Sequence, residues 1–282
     1  MMLNYRKLAS SAMKEAMIVR EKLNLQLESP ISIYDAAEKL GVEVILCKVG
    51  SFEGMYEKNT KTILLSSERP EGRKVFTCGH ELGHWRYDHG NRLDLKEYLE
   101  KKQVSEEEYL ADIFSSYLLM PPWGIEKAFR DRAWKIEAPS PVQVFTVASQ
   151  FAVSYESLTT HMHFNMKCIA NSQYKILNSV SPKAIRKSIH PSGTSQSLIV
   201  TDAFWASKTI DATVGAVIIV PEGIQIEGEC LSLVGNDDKK WVHGVTPGIG
   251  RIIGSSWSAF VRVSRPSYHG RARFRHLEET EE

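Results

Sequence analysis

The sequence predicts an α+β chain in three parts, on three observations. Helical and strand-like patterns alternate through the first 138 residues, Pro139-Ser140-Pro141 breaks the periodicity, and short β-branched runs dominate beyond Ser179. We expect a first domain over 1–138, a helical segment over 139–178 and a β-rich module over 179–282. A chain of 282 residues has room for this, at about 100–200 residues per domain.

Each element has its signal. Leu3, Leu8, Ala12, Ala16, Val19 and Leu23 recur at helical spacing, so the first ~24 residues predict a helix. Ser29-Pro30 marks a helix start and Gly41 a stop around Ile33, Ala36, Ala37 and Leu40. Val42 to Val49, Phe52 to Glu57 and Thr62 to Ser66 read as strands. A helix follows from about Glu71 to His89, closed by Gly90, then a polar stretch from Asn91 to Val104. The next helix, Ser105 to Met120, ends at Pro121-Pro122, because proline lacks an amide hydrogen and disfavours helix in the residue before it. Another is predicted over Trp123 to Trp134, and two short ones within Val142 to Met162, around Ala152-Val153-Ser154. Beyond Ser179, runs at Ser197–Thr201, Thr213–Val220, Ile224–Val234, Lys240–Val245 and Ala259–Val263 are separated by Gly, Pro and Asn236-Asp237, which predicts antiparallel sheet.

Composition excludes several classes. With 43% hydrophobic and 24% charged residues the chain is globular rather than disordered. A net charge of +1 argues against a globally basic nucleic-acid coat. The best apolar run, Val214 to Val220, is interrupted by Gly215 and falls far short of the ~18 residues of a membrane span. Arg6, Lys7, Lys14, Glu15 and Arg20 deny the N-terminus a signal peptide's apolar centre. Four cysteines without CxxC spacing suggest neither a disulfide framework nor a thiolate zinc site. The expectation is a cytoplasmic protein with no membrane partner.

His80-Glu81-Leu82-Gly83-His84 is the sharpest feature. Residues four apart share a helix face about 5–6 Å apart, so His80 and His84 can hold one zinc ion. Glu81, one position on, is placed to move protons rather than to coordinate. Gly83, a poor helix former, either leaves space for a close neighbour or is simply tolerated there. A catalytic zinc needs a third protein ligand, and the next helix offers Glu108, with Asp112 four residues on. Asp112 can accept a hydrogen bond from the back of one zinc histidine. Two uses of Glu108 stay open, because Ser105-x-x-Glu108 is also a capping box. Glu106 and Glu107 supply favourable charge at the helix N-terminus.

The motif is preceded by Phe76-Thr77 and followed by Glu108-x-x-Ala111-Asp112-x-Phe114 and Leu118-Leu119-Met120-Pro121. With Ala36 to Val42 and the Ile63-Leu64-Leu65 strand upstream, residues 30–165 resemble the ImmA/IrrE family of metallopeptidases. The resemblance implies a zincin-like core, a small sheet plus active-site helices. It implies a zinc site of His80, His84 and Glu108, with manganese as the alternative metal, and Glu81 as the catalytic base. It also implies an endopeptidase that cuts a partner transcriptional repressor and so derepresses mobile-element or stress genes. The chain departs from the family at Leu110, often acidic there, and at Ser115, often alanine.

Thr146 to Leu158 has the pattern of a helix-turn-helix core, yet Ser154 to His163 carries Glu156 and neither Arg nor Lys, so packing or repressor docking is the expected role. His161 and His163, two apart, are poor joint ligands and are expected to be structural, with oxyanion stabilisation by one of them as the alternative. His89 is expected to meet free carbonyls at its helix end. Arg262, Arg265, Arg271, Arg273 and Arg275, with Tyr268 and Phe274, form a basic–aromatic stretch suited to nucleic acid or an acidic partner, or equally to a solvated strand before the Glu278–Glu282 tail. Two rival functions follow. One is a peptidase-like regulator that grips a repressor without cutting it; the other is a DNA-binding regulator.

Overall fold

The computed structural model describes residues 5–89, 92–95, 105–190, 197–235 and 240–277. The expected Gly90 stop, the remainder of the 91–104 stretch, the Asn236-Asp237 turn and the acidic tail lie outside them. The chain is a mixed α+β protein and divides into two compact units, residues 1–125 with 267–273, and residues 126–266 with 274–282.

In the first unit, helix α1 (Tyr5–Lys22) buries Ala12, Ala16 and Val19, as its spacing predicts. Arg20 is also fully buried there. Its guanidinium donates to the Leu118 carbonyl at 2.8 Å, to Gln26 O at 3.0 Å and to Ser29 O, so backbone dipoles rather than a carboxylate receive it. Burial lowers the Arg20 pKa to about 10, still cationic at neutral pH.

Helix α2 (Ile33–Lys39) ends at Leu40, and Gly41 takes φ +78°, a region that favours glycine. Strand β1 (Glu43–Cys47) pairs in parallel with β3 (Thr62–Ser66), and β2 (Phe52–Glu57) runs antiparallel to β3. The edges of this sheet are β4 (Arg92–Leu95), beside β2, and Gly270–Arg271, beside β1. The last pairing is a departure from expectation. A piece of the C-terminal stretch belongs to the sheet of the first unit, because its backbone pairs at Ile45↔Arg271 and Leu46↔Gly270 and Arg271 forms an ion pair with Glu43.

Helix α3 (Glu71–Arg86) buries Val75, Cys78 and Leu82 on one face, with Phe76 and Trp85 only half-buried. It stops three residues earlier than predicted, because Asp88 turns left-handed at φ +55°. Helix α4 (Glu106–Leu119) packs along α3, and α5 (Pro122–Asp131) starts on a proline, where the missing amide costs nothing.

In the second unit, α6 (Pro141–Gln150) opens on a capping box made by Ser140 and Gln143. Ala152 turns left-handed, and Ser154 caps α7 (Tyr155–Thr160), which runs into a π-helical turn at His161–Asn165. Two further helices, α8 (Asn171–Asn178) and α9 (Pro182–Ile189), extend helical structure past the expected boundary at 179. Two four-stranded sheets then share one core, in which Ile210, Ile218, Val242, Ile252 and Val261 meet. Their pairing is not purely antiparallel as expected. Leu198–Val200 runs parallel to Val217–Ile219, and Thr209–Thr213 parallel to Ser258–Ser264. Among the described residues, no helix is long and apolar enough to cross a membrane.

Candidate metal centre

The site is built where α3 and α4 touch. Small residues let them approach. A Cβ on Gly83 would stand 2.8 Å from Ala111 Cα, and one on Gly79 would stand 2.5 Å from Ser115 Oγ. Ser115 also donates from Oγ to the Phe76 carbonyl at 2.9 Å, tying α4 to α3 by a bond that alanine would lack. Along this seam His80, Glu81 and His84 project from α3 and are buried, while Glu108 reaches across from the first turn of α4.

Three side chains converge. His80 Nε2 and His84 Nε2 are 3.0 Å apart; Glu108 Oε2 is 3.2 Å from the first, and Glu108 Oε1 is 3.6 Å from the second. His80, His84 and Glu108 thus form a group able to hold a metal ion. Behind them, His80 Nδ1 lies 2.8 Å from Asp112 Oδ1, and His84 Nδ1 lies 2.9 Å from His89 Nδ1. Of the capping box that the sequence left open, the structure shows the half made by Ser105, while the Glu108 carboxylate that would close it faces the histidines. The Glu108 backbone amide donates to Ser105 Oγ at 3.2 Å.

The donor chemistry fits a divalent cation. A carboxylate behind His80 keeps the ring proton on Nδ1, so the Nε2 lone pair faces inward toward a second imidazole and a carboxylate. Such a cluster of acceptors repels itself unless a cation sits among them. The contacts with the His80 and then the His84 ring hold the Glu108 carboxyl well below the usual carboxylate range, so it is ionised at neutral pH. The size fits too. Zn–N and Zn–O bonds of about 2.0–2.1 Å in a tetrahedron separate donors by about 3.3–3.4 Å, and the three observed edges, 3.0, 3.2 and 3.6 Å, bracket that spacing.

Residues 37–162 match the family model Peptidase_M78, the IrrE N-terminal-like domain. This segment belongs to that family. The IrrE-like segment carries all three donors, Glu81, Asp112 and the sheet before α3. The comparison with curated proteins returns no match for the chain.

Sequence reasoning missed two neighbours of the site. His89 was expected at helix-end carbonyls; its amide does donate to the His84 carbonyl at 3.0 Å, but its ring turns behind His84. Gly54 on β2 lies against Glu81, where a Cβ would stand 3.0 Å from Glu81 Oε1 and 2.5 Å from Thr77 Cγ2. A strand glycine is the one signal that pointed to this close approach. Other candidates are engaged within the second unit. His161 is buried, with its Nδ1 3.0 Å from Asn165 Nδ2, and His163 stacks on Tyr174 with its Nδ1 3.1 Å from the Ile169 carbonyl. Of the arginine stretch, Arg262 and Arg275 both pair with Asp211. Arg271 pairs with Glu43 and Arg273 with Glu38, so these charges too are matched by carboxylates of this chain.

Proposed function

We propose that the chain is a zinc-dependent endopeptidase whose substrate is a repressor-like protein partner, as in the ImmA/IrrE family. The observation that carries this is the meeting of His80, His84 and Glu108 within 4.8 Å of one another, on a helix that also bears Glu81. His80, His84 and Glu108 would hold the metal, zinc first and manganese as the alternative, in a zincin-like core. Bound there, the ion supplies Lewis acidity for peptide hydrolysis.

The chain's own residues supply the rest. Glu81 accepts a proton from the attacking water and passes it to the departing amine nitrogen, the work of a general base that becomes a general acid. Its burial keeps the carboxylate apart from bulk water, where charge interactions are weaker. Asp112 orients the His80 ring through Nδ1. The helices at 141–165 and the β-rich module serve partner docking or sensing in a cytoplasmic regulator.

Co-expression with a candidate repressor, any that is encoded near the gene being tried first, using the parent and Glu81→Gln, tests the whole scheme. The parent should release a cleaved fragment. Glu81→Gln should bind zinc as before and cut at least 100-fold more slowly, the usual scale of general acid–base catalysis. An intact repressor with the parent, released from its operator stoichiometrically, would replace the peptidase with a regulator that only grips its partner. Cleavage by Glu81→Gln at the parental rate would remove Glu81 from the mechanism.

A further inference from the structure

We infer that His89 is the positioning residue for His84, selecting the ring tautomer that turns the His84 Nε2 lone pair inward; this rests on the metal centre above. The two histidines of the site are backed by different chemistry. His80 has a carboxylate behind it, Asp112, whereas His84 has a second imidazole, with the two Nδ1 atoms 2.9 Å apart. Only one of those nitrogens carries the hydrogen of the bond. If His89 donated, the proton of a neutral His84 would sit on Nε2 and point at His80 Nε2, 3.0 Å away, closing the centre to a cation. If His84 donates, its Nε2 is a lone pair aimed at the centre. The metal-competent arrangement is therefore His84 Nδ1–H donating to His89 Nδ1, with the His89 proton on its own Nε2.

The fold holds His89 in place for this. Asp88 turns left-handed just past α3, and the His89 amide closes back onto the His84 carbonyl. The ring then stacks on Tyr87, with centroids 5.5 Å apart and planes 17° apart, and meets His84 edge-on. Tyr87 in turn packs edge-on against Phe114 of α4. Asp112, with a side chain about half exposed, backs one ligand from the solvent side, while His84 is 1% exposed and depends on an acceptor from its own helix end. A buried N–H left without an acceptor is costly, which gives the tautomer choice its force.

The test measures zinc affinity by competition with a chromophoric chelator on the full chain, for the parent, His80→Ala, His89→Phe and His89→Gln. Phenylalanine keeps a ring against Tyr87 and removes the acceptor; glutamine offers a carbonyl oxygen in its place. His89→Phe should bind zinc about 10–100-fold more weakly, the usual loss when a ligand's orienting partner is removed. His89→Gln should recover most of that loss. Parental affinity in His89→Phe would overturn the inference, as would equal weakening by both variants, since the acceptor would then not be the cause. Zinc binding by His80→Ala as tight as the parent's would instead overturn the metal centre, and the role of His89 with it.

Discussion

Gly83→Ala sets two effects of known size against each other. Alanine is favoured over glycine inside a helix by about 1 kcal/mol. At this position, however, the added Cβ would meet Ala111 Cα at 2.8 Å, Ala111 Cβ at 3.1 Å and Ala111 O at 3.2 Å. Two of these are backbone atoms, so no change of rotamer relieves the contact. Helices α3 and α4 must part by about 0.6 Å for the closest pair to reach the 3.4 Å of ordinary contact. One extra methyl in a packed seam costs about 1–3 kcal/mol, so strain outweighs propensity by about 1 kcal/mol. The larger effect falls on the metal. Glu108 lies three residues before Ala111 and Asp112 one after it, and a shift of this size exceeds the ~0.2 Å within which ligand distances are held. Urea unfolding of the metal-free chain should show the lost stability with an unchanged slope, and chelator competition should show zinc affinity lowered by at least about 10-fold. An alanine variant that gains about 1 kcal/mol and binds zinc like the parent would refute the reasoning, because only helix propensity would then be left.

Two further changes probe separate parts of the chain. Gly54→Ala should push on Thr77 and Glu81 without touching a metal ligand, so zinc affinity should hold while repressor cleavage falls by on the order of 10–100-fold; equal losses in both would place the damage elsewhere. Asp211→Asn should cost about 3 kcal/mol at pH 7, because Arg262 and Arg275 lose the carboxylate they share. Burial pushes the Asp211 carboxyl up, but Arg275 and Arg262 outweigh it and hold it below its ordinary 3.8. The stability that the ion pairs provide is therefore complete above the ordinary value and drains away as pH falls through the depressed one. Denaturant unfolding from pH 7 to pH 3 should show the parent losing stability faster than Asp211→Asn, and parallel profiles would contradict this.

What was legible in the sequence follows from how local each feature is. His80 and His84 lie one turn apart, and Glu108 and Asp112 repeat that spacing, so helix geometry alone puts each pair on one face. Phe52–Glu57 and Thr62–Ser66 were readable because their strand patterns end in turn residues. His89 was not, because its place depends on where α3 stops. The chain turns at Asp88, and a positive φ at an aspartate has only a weak signature. The parallel pairs of the second unit were equally hidden. Alternation such as that of Ala259, Val261 and Val263 fixes which face is buried, but it says nothing of which strand lies alongside or in which direction. The arginine stretch showed its charge in sequence but not its partners, since Asp211, Glu43 and Glu38 lie far off along the chain.

Glu108 shows how a residue with two plausible uses in sequence is committed to one of them. A closed capping box and a metal ligand both need the Glu108 carboxylate, and that carboxylate faces the histidines. Here Ser105 accepts from the Glu108 backbone amide, which satisfies one of the four amides that every helix start leaves over. That bond fixes the first turn of α4, and the turn sets where the Cβ of Glu108 points. The carboxylate is then left to face His80 and His84 at 3.2 and 3.6 Å. The cap therefore supports the metal centre: a start to α4 one residue later or frayed by a turn would rotate Glu108 away from α3, however well the histidines were placed. With Gly83 and Gly79 setting the separation of the two helices and Ser105 capping the second, the position of the third donor is determined by packing and capping contacts before any metal arrives.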